Sequence, residues 1–323
     1  MNRFTKGILC ALAGTSCWGF SCACVQFLLQ GYTVSPLFLT TVRMLGAGAL
    51  FIALLAITQR DALMAALRDR ATRRGLLAFG GIGLLLSQLT YLISISYTNA
   101  GTATVLQSLA IVFVMLFTCV SVRRLPKAGE FLALVCAFGA SLLIATKGDL
   151  GTLNLPIAGL AWGIVNALSV AFYLVQPRKL LERWGSLLVS GVGMALGGLV
   201  MLGIWIIACI AAPALGEQAM QLVAVPTFDL PGILVLALLV FIGSFAAFAL
   251  YIHGVSIVGS VNGGLLGVAE PVSAMLFSAL WLDTAFLWAD WVGLALMAAT
   301  ILLVSLSGSK RQAEEAPTGA HAV

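Results

Sequence analysis

Two charged side chains lie deep inside otherwise apolar stretches of this chain. Arg43 falls in PLFLTTVRMLGAGAL, and Glu270 in GSVNGGLLGVAEPVSAMLF. Arg43 is eight residues from Ser35 and Glu270 ten from Ser260. A helix rises about 1.5 Å per residue, so both sit roughly 12–15 Å from a helix end, near the middle of a bilayer. Facing lipid, each would cost about 3 kcal/mol or more, so they are expected to face protein or water. Opposite charges at matching depth admit three readings: a shared cavity in which they partly neutralise one another, a Glu270 that carries a proton, or an ion pair that only braces two helices. Pro271 follows Glu270 and cannot donate to the Gly267 carbonyl, which leaves that oxygen free near the acid. Gly259, Gly263, Gly267 and Pro271 recur every four residues and form a smooth stripe for a second helix. Asn262, eight before Glu270, falls with it on a neighbouring face. A proline-broken helix with a buried acid is what a solute pathway uses, because unpaired backbone is tolerated at membrane depth only within protein or beside water.

The other mid-span polar or aromatic groups are Trp18, Gln88, Tyr91, Gln107, Asn166, Tyr251 and Asn262. Trp18, Tyr91, Tyr251 and Gln107 join Arg43, Glu270 and Asn262 as the expected pathway, with Gly267 and Pro271 as its helix break. Each has a plainer reading as a helix contact, and Asn166 in particular as a cross-helix bond. Thr104 and Ser108, four apart, add a mild polar stripe. His253 and His321 have no partner at ligand spacing, so no metal is expected, and no cofactor either. No GxxxxGK[ST] loop is present, so nothing points to ATP-driven work. An enzyme acting on lipid-linked substrates would need two or more carboxylates or a His/Asp group near one face, and the loops offer none. A channel would need a continuous polar ring.

Those residues need long apolar elements to hold them. The chain of 323 residues is 61% hydrophobic and 9% charged, where a soluble domain is about a quarter charged. Its mean hydropathy is +1.08. An all-α integral membrane protein follows, with spans at 7–29, 35–57, 75–96, 101–121, 128–146, 156–176, 187–210, 230–252, 260–281 and 286–306. The first run is too long for a signal peptide and no Ala-x-Ala site follows it. With the N-terminus inside, the inner segments hold Arg3, Lys6, Arg60, Arg68, Arg70, Arg73, Arg74, Arg123, Arg124, Lys127, Arg178, Lys179, Arg183, Lys310 and Arg311, and the outer ones Lys147 alone. The positive-inside rule thus puts both termini in the cytoplasm. It also accounts for the +5 net charge without nucleic acid. The seven cysteines all lie in apolar runs and read as small packing residues. Leu63, Met64 and Leu67 share one helical face, which admits two readings of 58–74: a short helix on the inner lipid surface, or a solvated linker.

The chain also repeats itself. A shift of 160 aligns Gly83 with Gly243, Tyr91 with Tyr251, Ser96 with Ser256, Met115-Leu116-Phe117 with Met275-Leu276-Phe277 and Glu130 with Asp290. A shift near 150 pairs Val42 and Met44 with Val192 and Met194. Five spans per copy is an odd number, so the copies point opposite ways. The expected units are residues 1–148, 149–308 and a disordered cytoplasmic tail, 309–323. Ten spans as two inverted five-helix repeats is the architecture of secondary transporters, with the site near the midplane between the halves.

The residues carry a family resemblance over 7–307. Trp18-Gly19, Pro36 to Arg43, Gly101 to Leu109, Ala171-Phe172-Tyr173 with Arg178-Lys179, and Ala269-Glu270-Pro271-Val272 together resemble the EamA type of the drug/metabolite transporter superfamily. Ala110-Ile111 stands where that family often has proline, and Arg123-Arg124 where a Gly-Glu pair is common, so the two halves are chemically unequal. The resemblance implies a carrier of the plasma (inner) membrane that exports amino acids, metabolites or toxic compounds. It also implies a cavity lined by spans one to four and six to nine, with spans five and ten peripheral. Proton coupling through Glu270 and uncoupled facilitated diffusion both stay open. Expected partners are a small-molecule substrate and membrane lipids, with a homodimer left open.

Overall fold

The computed structural model describes residues 2–149 and 154–315. Among the described residues, ten helices are long and apolar enough to cross a membrane: α1 (Arg3–Gly31), α2 (Pro36–Thr58), α3 (Arg70–Tyr97), α4 (Ala100–Ser121), α5 (Ala128–Thr146), α6 (Ile157–Val175), α7 (Ser186–Leu215), α8 (Leu230–Val258), α9 (Asn262–Trp281) and α10 (Trp288–Leu306). Helices are the outcome because backbone groups in hydrocarbon must be satisfied within their own segment. An even number of spans brings both ends of the chain to one face, called here the near face. The helix containing α10 continues to Glu315, so 309–315 are helical rather than disordered. The rest of the expected tail, 316–323, lies outside the described residues.

The repeat is visible in the packing. The N-cap of α2 is Ser35 and that of α7 is Gly185, which sets the 150-residue offset. A Cβ on Gly48 would stand 2.6 Å from the Ala195 Cα, and one on Gly198 2.8 Å from the Leu45 N. Both members of each pair map onto the other contact by the same offset, so α2 and α7 cross on the pseudo-twofold axis with glycine where the backbones touch. Elsewhere the repeats exchange partners. Helix α1 packs on α8 and α9 of the other half, α6 packs on α3 and α4, and α5 lies against α10.

Three local devices recur in both copies. A π-helical segment interrupts α3 at Phe79–Leu84 and α8 at Phe241–Ala246, each holding one of the paired glycines, Gly83 and Gly243. Both α4 and α9 are broken, α4 into Ala100–Gln107 and Ala110–Ser121, α9 (from Ser260) into Ser260–Leu266 and Ala269–Trp281. The sequence announces only the second break. In α4 the hydroxyls of Thr104 and Ser108 back-bond to the carbonyls of Ala100 and Thr104, at 2.6 and 3.0 Å, which competes with the helical ladder. The third device is a carboxylate cap: Glu130 accepts from the Lys127 N–H at 2.8 Å, and Asp290 from the Leu287 N–H at 2.9 Å. Arg124 clasps Glu130 at 2.6 and 2.7 Å, whereas Asp290 is met by Lys147 from the other repeat.

At the near face a short helix, Arg60–Arg68, precedes α3. Its Leu63 and Ala66 are buried against α2, α3 and α7, while Met64 is exposed, so it packs on protein more than the lipid-surface reading supposes. Asp69 caps α3 through the amides of Ala71 and Thr72 and pairs with Arg183 at 3.0 Å. The Thr72 hydroxyl, then those amides and Arg183, hold its carboxyl below the usual carboxylate range. A depressed carboxyl stabilises above its unfolded value of about 4 and loses that contribution as pH falls through the folded value. The protection of the Ala71 and Thr72 amides, relative to an unfolded peptide at the same pH, is therefore expected to fall on acidification below about pH 4. The Asp69→Asn variant should not show this acid step, and an identical step in both would contradict the cap's role.

Candidate functional site

Seven spans meet around one small cavity of about 70 Å³. Trp18 and Cys22 come from α1, Arg43 from α2, Ser87, Gln88 and Tyr91 from α3, Gln107 from α4, Val170 and Tyr173 from α6, Phe248 from α8 and Glu270 from α9. The helix irregularities aim the polar groups. The π-helical segment of α8 turns the Ser244 hydroxyl back to the Leu239 carbonyl, five residues earlier, and there Ser244 accepts from Arg43 Nε at 2.8 Å. Extra-turn segments of this kind are frequent at functional sites. The break in α4 ends its first segment at Gln107, which donates to Glu270 at 3.2 Å.

Arg43 and Glu270 thus share a cavity but form no ion pair among the described residues. The reading of an ion pair that braces two helices gives way to separate anchoring by Ser244 and Gln107 within one shared cavity. Arg43 is 5% exposed, and its Nη1 is buried with no hydrogen-bond partner. A cation and an anion on different walls of one aromatic-lined space can receive a solute with complementary polar groups. The walls are built by contact: Trp18 meets Phe248 edge-on at 4.8 Å and Tyr251 at 4.9 Å. The Tyr91 hydroxyl reaches Cys22 at 2.7 Å and also Thr104.

The two ends of the cavity differ. Toward the far face an apolar cluster joins Val25, Leu28, Leu39, Leu92, Ile95 and Ala103 with Val235, Leu239 and Ala274, closing spans of both repeats over the site. In the first segment of α4, residues Ala100 to Leu106 are all buried. The matching segment of α9, on the near side, has Asn262, Gly264, Leu265 and Leu266 only half-buried. The far-side segment of α4 is thus more deeply buried than its near-side counterpart in α9.

Of the residues singled out from sequence, Trp18, Arg43, Gln88, Tyr91, Gln107 and Glu270 line the cavity. Tyr251 stands behind Trp18 rather than in the lining. Asn262 is not brought there either; its amide donates to the Val258 carbonyl at 2.8 Å. The break at Gly267–Val268 explains this, because an eight-residue spacing shares a face only along an unbroken helix. Gly267 does end the first segment, yet its carbonyl is not free: the Glu270 N–H takes it at 3.1 Å in a tighter turn. Asn166 bonds across helices to Ser87 and Thr90. Cys22, Ser87, Val170, Ser244 and Phe248 were not singled out as site residues, and Tyr173 entered only within the Ala171-Phe172-Tyr173 motif. Their side chains are ordinary in a span, and only the offset that pairs Gly83 with Gly243 hinted at a device beside Ser244.

An all-helical fold of two inverted repeats around a polar midplane cavity defines a polytopic membrane protein of the transporter type. The sequence matches the EamA-like transporter family over residues 5–146 and 157–306. The chain belongs to the EamA-like transporter family and is a membrane transporter. It is 33% identical over 313 residues to the uncharacterized inner membrane transporter YicL of Salmonella typhimurium (strain LT2), covering 96% of this chain and 99% of that protein. A solved crystal structure shares the fold with a TM-score of 0.62 at 18% identity, over 95% of this chain and 99% of the other.

Proposed function

We propose that this protein is a secondary carrier that moves a small organic metabolite, amino acid or drug-like compound by alternating access, in the direction of export. It works in the inner (plasma) membrane with both termini in the cytoplasm, a reading supported by the arginine-rich near face and by the name of the YicL relative. The observation that carries the proposal is the placement of Arg43 and Glu270 on separate walls of one cavity between the repeats. Glu270 is the group through which a proton gradient would be coupled; facilitated diffusion is the alternative if flux ignores that gradient.

A thermal-shift screen of purified protein against metabolite and drug panels selects ligands, and counterflow in liposomes then tests them. Arg43→Gln is expected to lower flux on the order of tenfold or more at normal protein level, because an anionic group of the solute loses a buried, charged donor. Steady, unsaturable conductance in a planar bilayer would overturn the carrier reading.

A further inference from the structure

Near the far end of α1, Gln26 is 1% exposed and fully engaged. Its Oε1 accepts from the Ala100 N–H, at the start of α4, at 2.8 Å and from the Ser278 hydroxyl on α9 at 3.2 Å. Its Nε2 donates to the Thr284 hydroxyl, in the connection after α9, at 2.9 Å. One amide thus fastens both repeats together across the far face.

The repeat supplies a counterpart at the other end. The offset that carries Ser35 onto Gly185 and Gly48 onto Gly198 carries Val25-Gln26 onto Val175-Gln176, at the near end of α6. The 160-residue offset carries Ala100 onto Ser260, the first residue of the α9 helix, and Thr284 back onto Arg124. At these mirrored positions the hydrogen bonds are missing. Gln176 Oε1 and Arg124 Nε are both buried without a partner. One is an acceptor and the other a donor. A stranded buried polar atom costs about 1–3 kcal/mol, so one such atom at each matched position asks for an arrangement that uses them. The first segment of α9 is half-buried here while its counterpart in α4 is packed in, as expected if only the far fastening is made.

We propose that Gln26 and Gln176 are symmetry-related latches: Gln26 holds the far face shut in the arrangement seen, and Gln176 holds the near face shut in the opposite one. There Gln176 Oε1 accepts from the backbone N–H at Ser260, with Arg124 Nε–H as its second donor. The proposal rests on the alternating-access reading, and its test uses no substrate, so the two fail separately. A Gln88→Cys reporter in the cavity wall is treated with a membrane-impermeant maleimide from either side of sealed vesicles, and its modification is read by mass spectrometry. Added to the reporter, Gln26→Ala is expected to lower the near-to-far labelling ratio at least fivefold, and Gln176→Ala to raise it at least fivefold. Gln176→Glu keeps the acceptor oxygen and is expected to hold the ratio within twofold of the reporter alone. A Gln176→Ala ratio that is unchanged or moves with that of Gln26→Ala overturns the pairing, as does a Gln176→Glu ratio matching that of Gln176→Ala. Flux assays decide the transport reading independently.

Discussion

Liposomes carrying Glu270→Gln are expected to lose roughly 30-fold or more of the wild-type flux, and what remains should no longer respond to collapse of the pH gradient. The substitution keeps the shape and an oxygen that can accept from Gln107, so the loss isolates the charge and its proton rather than the packing of α9. A partly buried charge that meets a solute or proton is worth about 2 kcal/mol or more, the source of that factor. Glu270→Asp, one methylene shorter, is expected to recover part of the flux together with its gradient dependence. Wild-type flux in the Gln variant would leave Glu270 a structural group. Gradient-driven flux in that variant would move coupling elsewhere.

The second large effect concerns assembly. Gly48→Leu and Gly198→Leu are each expected to lower the thermal midpoint by about 10 °C, since overpacking costs typically 1–3 kcal/mol and a backbone contact cannot yield as a side chain does. The obstructing atoms are backbone in both cases, the Ala195 Cα and the Leu45 N. Gly203→Leu, at a position with no neighbour within 4 Å, is the control on the same helix and should change the midpoint little. Equal effects at Gly198 and Gly203 would mean that α2 and α7 do not meet as described.

Much of this arrangement could be read from residue types. Charge in lipid is expensive, so Arg43 and Glu270 stood out at once, and the loop arginines set the span count. The inverted repeat followed from five spans per copy and a few aligned pairs. Other parts left little mark. The break in α4 has no proline and arises from two hydroxyls that turn inward on the backbone. The π-helical segments are built from residues any apolar helix contains, so the placement of Ser244 against Arg43 was hidden. Asn262 misled because helical spacing was counted across a discontinuity. Tyr173 and Phe248 acquire meaning only when α6 and α8 are brought to the same space by exchange of partners between the halves.

The two carboxylate caps carry a consequence for biogenesis. Glu130 finds its cation six residues upstream, in the same stretch of nascent polypeptide, so the fifth helix is fastened as soon as it leaves the ribosome. Lys147, at the close of the first copy, must wait for Asp290, laid down 143 residues later. The leading copy is self-sufficient in this respect and the trailing one is not: a duplicated gene has become a sequence of dependence, in which the second half is buttoned onto the first.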